Sequence, residues 1–97
     1  MDKESVIRTL RAHEAELRAE GISHVYLFGS VARGEADEKS DVDLFFDYDD
    51  PSFSLFDLMR VKRRFGDILE TRVDAMTRRS VHPHIRSEVE DEAVQVF

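Results

Sequence analysis

A glycine–serine pair followed by two closely spaced aspartates is the part of the sequence best suited to chemistry. Gly29 and Ser30 directly follow an apolar run, and after ten further residues come Asp41 and Asp43. Glycine lets the backbone approach a ligand closely, and exposed amides with a serine hydroxyl can bind a phosphate. On an extended chain, positions i and i+2 project from one face, so the two carboxylates can grip one cation together. The spacing therefore indicates a phosphate site beside a divalent-cation site, as a nucleotide–metal complex requires.

Each half of this motif also has an ordinary structural explanation. A Gly-Ser pair after a strand is usually only a turn, and an Asp-x-Asp pair in an acidic protein is usually solvated surface. The conjunction of the two, placed between two predicted strands, is what favours the chemical interpretation.

The elements that position the motif follow from apolar periodicity. They give the order α-β-β-α-β-α-β, an α/β (α+β) class with a small mixed β-sheet and flanking helices, in a single domain over residues 1–97. The predicted ranges are a helix over about 3–20, a strand over 23–28, a loop or short helical turn over 29–41, a strand over 42–48, a helix from the capping box of Ser54 and Asp57 to Leu69, a strand over 72–76, a helix with Pro83 in its first turn and Ile85 and Val89 facing inward, and a terminal strand over 94–97.

Composition excludes several classes of protein. The chain has no cysteine, which rules out disulfides, thiolate zinc sites and cysteine nucleophiles. No apolar run approaches the roughly 18 residues that a membrane span needs, and we expect a cytoplasmic location. With 21 acidic against 14 basic side chains the net charge is −7, so bulk binding to nucleic acid is not expected.

The motif resembles a known family. Gly29-Ser30, ten residues and Asp41-x-Asp43 resembles the signature of the polymerase-β-like nucleotidyltransferases. The longer strings over residues 29–34 and 40–44, GSVARG and SDVDL, resemble the minimal nucleotidyltransferase (MNT) branch. The resemblance covers the whole chain and implies the polymerase-β palm-like fold, with a third carboxylate on a later strand, which Asp74 matches.

The resemblance also implies site roles. Amides at Gly29 and the Ser30 hydroxyl would hold the β- and γ-phosphates of ATP, the nucleotidyl donor. Asp41 and Asp43 would hold two Mg²⁺ ions, and Asp74 would complete the coordination of the ion that binds the attacking hydroxyl. From residue type alone, Asp74 would instead be an edge or surface residue, although strands disfavour aspartate.

Three interpretations of the function remain open. MNT proteins of this size resemble the antitoxins of HEPN/MNT toxin–antitoxin modules, in which the antitoxin AMPylates a tyrosine of a helical HEPN toxin. The leading hypothesis is therefore a protein adenylyltransferase antitoxin that forms a hetero-oligomer with its toxin. The alternatives are a small-molecule nucleotidyltransferase whose acceptor domain lies on another chain, and an antitoxin that acts by binding alone.

The remaining candidates carry weaker signals. Arg33 could contact a phosphate or could pin its own loop, and the sequence does not decide between these roles. The basic run on the fourth predicted element is either a solvated helix face or a partner or nucleotide surface; it comprises Arg60, Lys62, Arg63 and Arg64. The histidines are expected to be structural or on the surface, since no second ligand cluster accompanies them; they are His13, His24, His82 and His84.

Overall fold

The computed structural model, which describes residues 2–37 and 39–97, has a mixed sheet with helices on both faces. In chain order the elements are α1 (Lys3–Ala12), α2 (Glu14–Ala19), β1 (Ile22–Phe28), α3 (Gly29–Arg33), β2 (Val42–Tyr48), α4 (Leu55–Leu69), β3 (Val73–Thr77), a 3-10 turn (Arg78–Ser80), α5 (Pro83–Glu92) and β4 (Val94–Gln95). The sheet order is β3-β2-β1-β4, with β1 antiparallel to β2 and β4, and with β2 parallel to β3. The predicted fold class and order of the main elements are confirmed.

The two faces of the sheet separate two clusters of buried side chains. Because side chains alternate along a strand, β2 sends Val42, Leu44 and Phe46 into the larger core, which α1, α2 and α4 cover. Phe45 points the other way and packs with Val81 and Val89 beneath α5. Asp43 shares the face of Phe45, which places the predicted chemistry on the α5 side of the sheet.

The first predicted helix is interrupted at His13. The His13 Nδ1 atom lies 2.9 Å from the carbonyl oxygen of Thr9, which is the acceptor that a continuous helix would offer to the His13 amide. That amide instead donates to Leu10 O at 3.0 Å. Competition by a side chain for a backbone acceptor therefore ends α1, and α2 begins at the next residue.

The capping box at the start of α4 is confirmed. The Ser54 hydroxyl accepts from the Asp57 amide, and the Asp57 carboxylate accepts from the Ser54 amide at 2.7 Å. Leu55 and Met59 are nevertheless 71% and 57% exposed, because the inward face of α4 is formed by Val61, Phe65 and Leu69.

One predicted core position on α5 is wrong. Val89 is buried as expected, but Ile85 is 47% exposed. Val81, which precedes the helix, packs on Phe45, so the space beneath the first turn of α5 is filled before Ile85 reaches it.

The C-terminal strand is shorter than predicted, although its pairing continues. Beyond β4, the Val96 amide donates to Val25 O at 2.8 Å, and the Val25 amide donates to Phe97 O at 3.2 Å. This pairing fixes the end of α5 beside the end of β1. No helix within the described ranges is long and apolar enough to cross a membrane.

Candidate active site

The glycine–serine turn follows the last residue of β1 and lies directly against the carboxylate of Asp43. Gly29 has φ +77°, a conformation that L side chains rarely adopt. A Cβ atom built on Gly29 would overlap Oδ2 of Asp43 and lie 3.0 Å from its Cγ. Glycine is therefore favoured at position 29 for two reasons: its backbone conformation, and the close approach of Asp43.

Ser30 is the second residue of the short helix α3, which begins at Gly29. It lies half-buried in the first turn of α3, which ends at Gly34 with φ +74°. The Ser30 carbonyl accepts from the Glu35 amide at 2.9 Å. This hydrogen bond joins residues only five positions apart, so the segment is closed locally. The glycine–serine turn itself lies at the end of the sheet.

Asp43 and Asp74 are neighbours across two parallel strands. They are direct partners in the β2–β3 register, and Asp43 also pairs with Phe28 at the end of β1. Partner residues on adjacent strands project from the same face at a strand spacing of about 4.8 Å. The structure therefore brings Asp43 and Asp74 together beside Gly29.

Burial and neighbouring negative charges raise the pKa of Asp43. The largest cause is burial of its carboxyl group, followed by the negative charges of Asp74 and Asp41, while the positive charge of Arg33 acts in the opposite direction. All three predicted carboxylates are thus close enough to interact electrostatically at Asp43.

Asp41 lies just before β2 and is turned toward a basic side chain. Its Oδ1 atom is 3.1 Å from Nε of Arg72, whose Nη2 also donates to the carbonyl of Lys39 at 3.1 Å. In the described ranges, no three acidic or histidine side chains are arranged to enclose a metal ion. The metal-binding roles of Asp41, Asp43 and Asp74 therefore stay predictions.

Arg33 extends from the end of α3 between two carboxylates. Its Nε donates to Glu35 Oε2 at 3.0 Å, and its Nη1 donates to Glu92 Oε1 at 3.2 Å. The first contact matches the interpretation in which Arg33 pins its own loop. A contact between Arg33 and a phosphate stays a prediction.

Glu92 and Arg72 are two members of this region that sequence reasoning missed. Glu92 is the last residue of α5, and β4 begins two residues later and pairs with β1. The sequence offers no local signal for this placement of Glu92, because it depends on the pairing of two strands far apart in the chain. For Arg72 the sequence offers no signal either.

The other sequence candidates lie away from Asp43. Arg60 pairs with Glu20 and Asp57, and Arg64 pairs with Glu16 at 2.6 Å. These contacts tie α4 to α2 and to its own first turn, on the opposite face of the sheet from Asp43.

The histidines fill local structural roles or lie at the surface. His13 ends α1 as described, and His24 is exposed on β1. At the start of α5, His82 Nδ1 accepts from the His84 amide at 3.2 Å, and their rings stack 5.0 Å apart.

A cavity of about 580 Å³ lies at the other ends of β2 and β3, and it does not include the carboxylates. It is lined by Phe46, Asp47, Tyr48, Asp49, Asp50, Pro51, Thr77, Arg78 and Arg79. The candidate site is thus distinct from this cavity.

Two comparisons with known proteins match nearly the whole chain. A family model for the nucleotidyltransferase domain matches residues 10–96. Protein adenylyltransferase MntA of Thermococcus cleftensis is 35% identical over 94 residues, which cover 96% of this chain and 94% of MntA.

Solved structures share the fold. A minimal nucleotidyltransferase structure is 37% identical in sequence and aligns with a TM-score of 0.73. The alignment covers 97% of this chain and 95% of that one. A solved complex of a tri-AMPylated Shewanella oneidensis HEPN toxin with an MNT antitoxin gives 19% identity and a TM-score of 0.63, covering 89% of this chain and 67% of that one. At that identity the second likeness concerns the fold alone.

Proposed function

The chain belongs to the nucleotidyltransferase domain family, and on that premise we propose that it transfers AMP from ATP to a tyrosine hydroxyl of a partner HEPN toxin. The observation that carries the proposal is the meeting of Gly29, Asp43 and Asp74 at one end of the sheet. The 35% identity with a protein adenylyltransferase over nearly the whole chain supports a protein as the acceptor.

The carboxylates suit a divalent cation. Mg²⁺ prefers oxygen ligands. Burial raises the pKa of Asp43, and so do the negative charges of Asp74 and Asp41, whose repulsion a cation beside Asp43 would relieve. Asp41, Asp43 and Asp74 would hold two Mg²⁺ ions, which supply charge neutralisation at the phosphates and lower the pKa of the acceptor hydroxyl. Asp41 would have to exchange its contact with Arg72 for this role.

The remaining groups bind and orient the reactants. The amide of Gly29, once it exchanges its 3.4 Å contact with Oε1 of Glu92, and the hydroxyl of Ser30 donate to the β- and γ-phosphates. Arg33 adds a positive charge. Asp74 orients the acceptor hydroxyl toward the α-phosphorus. A new bond joins the acceptor oxygen to that phosphorus, the bond to the bridging oxygen breaks, and pyrophosphate leaves while the hydroxyl proton passes to solvent.

A tyrosine acceptor is chemically reasonable at such a site. The phenol has an ordinary pKa of about 10, so it needs less help to lose its proton than an aliphatic alcohol does. A tyrosine side chain is also long enough to reach a shallow site from a partner's surface.

The proposal is tested by incubating the protein with Mg²⁺, labelled ATP and a HEPN protein from the same organism, for which a gene adjacent to its own would be the first choice. We expect one or more AMP groups on tyrosine of that protein, located by mass spectrometry. The Asp41→Asn/Asp43→Asn double variant is the negative control and should transfer no label. In a parallel incubation with a small-molecule extract of the host cells, label on a small molecule, with none on the HEPN protein, would replace the proposal by a small-molecule transferase.

A further inference from the structure

Glu92 lies far from the glycine–serine turn in sequence but adjacent to it in space. It is the last residue of α5, three residues after the buried Val89 and two residues before Val94, which pairs with β1. Its Oε1 atom is 3.4 Å from the amide nitrogen of Gly29 and 3.2 Å from Nη1 of Arg33. The fold therefore places a fourth carboxylate at the candidate phosphate site.

The guanidinium of Arg33 is held from two sides. Glu35 accepts from Nε at 3.0 Å, and Glu92 accepts from Nη1 through Oε1 at 3.2 Å and through Oε2 at 3.5 Å. Arginine carries five N–H donors in a planar fork, so two carboxylates can fix the plane while other donors stay available. Without Glu92, only the contact near the base of the fork would remain.

The same carboxylate oxygen links the guanidinium to the turn. Oε1 of Glu92 lies within 3.4 Å of the Gly29 amide nitrogen and within 3.2 Å of Nη1 of Arg33. The guanidinium of Arg33 is therefore held beside the backbone of the glycine–serine turn.

We infer that Glu92 is a positioning residue, which holds Arg33 over the glycine–serine turn so that the guanidinium faces the phosphates of the nucleotide; this inference rests on the proposed function. The side chains of Arg33 and Glu92 are 44% and 33% exposed. Because an exposed ion pair contributes little to folding stability, this contact is not explained by stability alone. Its effect is to limit the orientations of a long, flexible side chain before the ligand binds.

A direct effect of Glu92 on the nucleotide would have the opposite sign. The Glu92 carboxylate is negative and lies beside the Gly29 amide, so its own charge repels a triphosphate. Removing that charge would tighten binding if Glu92 acted directly, whereas it should weaken binding if Glu92 acts through Arg33.

The experiment measures the Kd of Mg²⁺-ATP by calorimetry for Glu92→Gln, Arg33→Ala and the double variant. Asp91→Asn is the matched control, since Asp91 is the exposed preceding residue of the same helix and its loss changes the net charge equally. We expect Glu92→Gln to weaken binding roughly three- to tenfold through lost preorganisation, and Asp91→Asn to leave it unchanged. In the Arg33→Ala background, Glu92→Gln should cause no further loss.

Equal or tighter binding by Glu92→Gln would overturn the inference, as would the same loss in both backgrounds. A second readout needs no nucleotide: the Nε–H NMR signal of Arg33 should shift in Glu92→Gln and stay in place in Asp91→Asn. If the wild-type protein did not bind Mg²⁺-ATP, the proposed function would fail. The NMR signal would then decide the positioning role, and an unchanged signal would refute it.

Discussion

At the scale of single residues, the candidate site is organised around the carboxylate of Asp43. It excludes any side chain at Gly29, it is the register partner of Asp74, and it is close enough to Asp41 and Arg33 for their charges to act on it. Three carboxylates gather here, and the positive charges beside them are those of Arg33 and Arg72, so negative charge is in local excess. Such an arrangement costs folding stability, and functional sites commonly carry such costs.

The first prediction concerns Asp43→Asn in the metal-free protein. Because folding raises the pKa of Asp43, the folded protein holds this proton more tightly than the unfolded chain does, and ionisation of the carboxyl costs stability. The cost is fully present above the folded pKa and absent below the unfolded pKa. Asp43→Asn should therefore raise the Tm at neutral pH in the presence of a chelator, and the gain should shrink as the pH falls toward the ordinary range of an aspartate.

Thermal unfolding at several pH values checks this prediction, with Asp91→Asn as the control for a change of net charge. Addition of Mg²⁺ should narrow the gap, because only the wild-type site retains its full set of carboxylates. A wild-type protein that matched or exceeded the Tm of Asp43→Asn at neutral pH would contradict the assigned repulsion.

The second prediction separates backbone strain from steric overlap at two glycines. Gly29 and Gly34 have φ of +77° and +74°, but a Cβ on Gly34 would meet nothing within 4 Å. Gly34→Ala should thus cost only the conformational strain, about 1–2 kcal/mol. Gly29→Ala should cost about 1–3 kcal/mol more, because its methyl group must displace Asp43.

Denaturant unfolding of the two alanine variants measures this difference. The extra cost of Gly29→Ala should largely disappear in an Asp43→Ala background, which removes the overlapping carboxylate. Equal costs for the two glycine variants would mean that Asp43 does not lie against the turn.

At the scale of secondary structure, strand register does the positioning. Parallel pairing of β2 with β3 aligns Asp43 with Asp74, and antiparallel pairing of β1 with β2 brings Phe28, next to the turn, alongside Asp43. The short β4 then anchors the end of α5 beside β1. Three strand ends and one helix end therefore converge on the site.

The third prediction uses two apolar residues of α5 that lie about one helical turn apart and differ in burial. Val89 is 6% exposed over Phe45, whereas Ile85 is 47% exposed. Val89→Ala should lower the free energy of unfolding by roughly 1–3 kcal/mol through lost burial and the cavity left behind. Ile85→Ala should change it by about 0.5 kcal/mol or less. Denaturant titration of both variants measures these free energies of unfolding. A larger loss for Ile85→Ala than for Val89→Ala would mean that the inward face of α5 has been assigned incorrectly.

Much of the fold was predictable because its signals are local. Alternation along residues 42–48 assigned Asp43 and Phe45 to one face, and the capping box at Ser54 located the start of α4. The Gly-Ser turn and the aspartate pair were recognisable from residue type and spacing. Strands and caps repeat a short-range pattern, so one sequence suffices to find them.

The features that sequence reasoning missed depend on contacts between distant or competing groups. The break at His13 arises from its ring contact with the Thr9 carbonyl, and the exposure of Ile85 arises from Val81 filling the space first. Glu92 reaches the turn only through the register of β4 with β1. Apolar periodicity carries no information about such competition.

At the scale of the whole molecule, charge and shape constrain how substrates arrive. The chain carries a net charge of −7, which repels free ATP and polyanions unless cations accompany them. Arg60 and Arg64 are engaged in ion pairs on the α4 side of the sheet. The carboxylates lie on the other side, with Asp74 exposed on the edge strand. The acceptor would therefore approach the α5 face at the end of the sheet where β3 begins.

The last prediction distinguishes a transferase from a protein that only masks its partner, and it rests on Asp74. If Asp74 orients the acceptor hydroxyl, Asp74→Asn should retain most binding of Mg²⁺-ATP and of the toxin. Transfer should nevertheless fall roughly a hundredfold or more, since a contact that matters in the transition state lowers turnover rather than affinity. In cells that express the toxin, this variant should fail to protect although it still binds, whereas Asp67→Asn, an exposed change on α4, should protect normally. Growth of those cells and mass spectrometry of the toxin provide the two measurements. Full protection by folded Asp74→Asn protein, with the toxin unmodified, would refute transfer as the protective activity and leave masking by contact as the explanation.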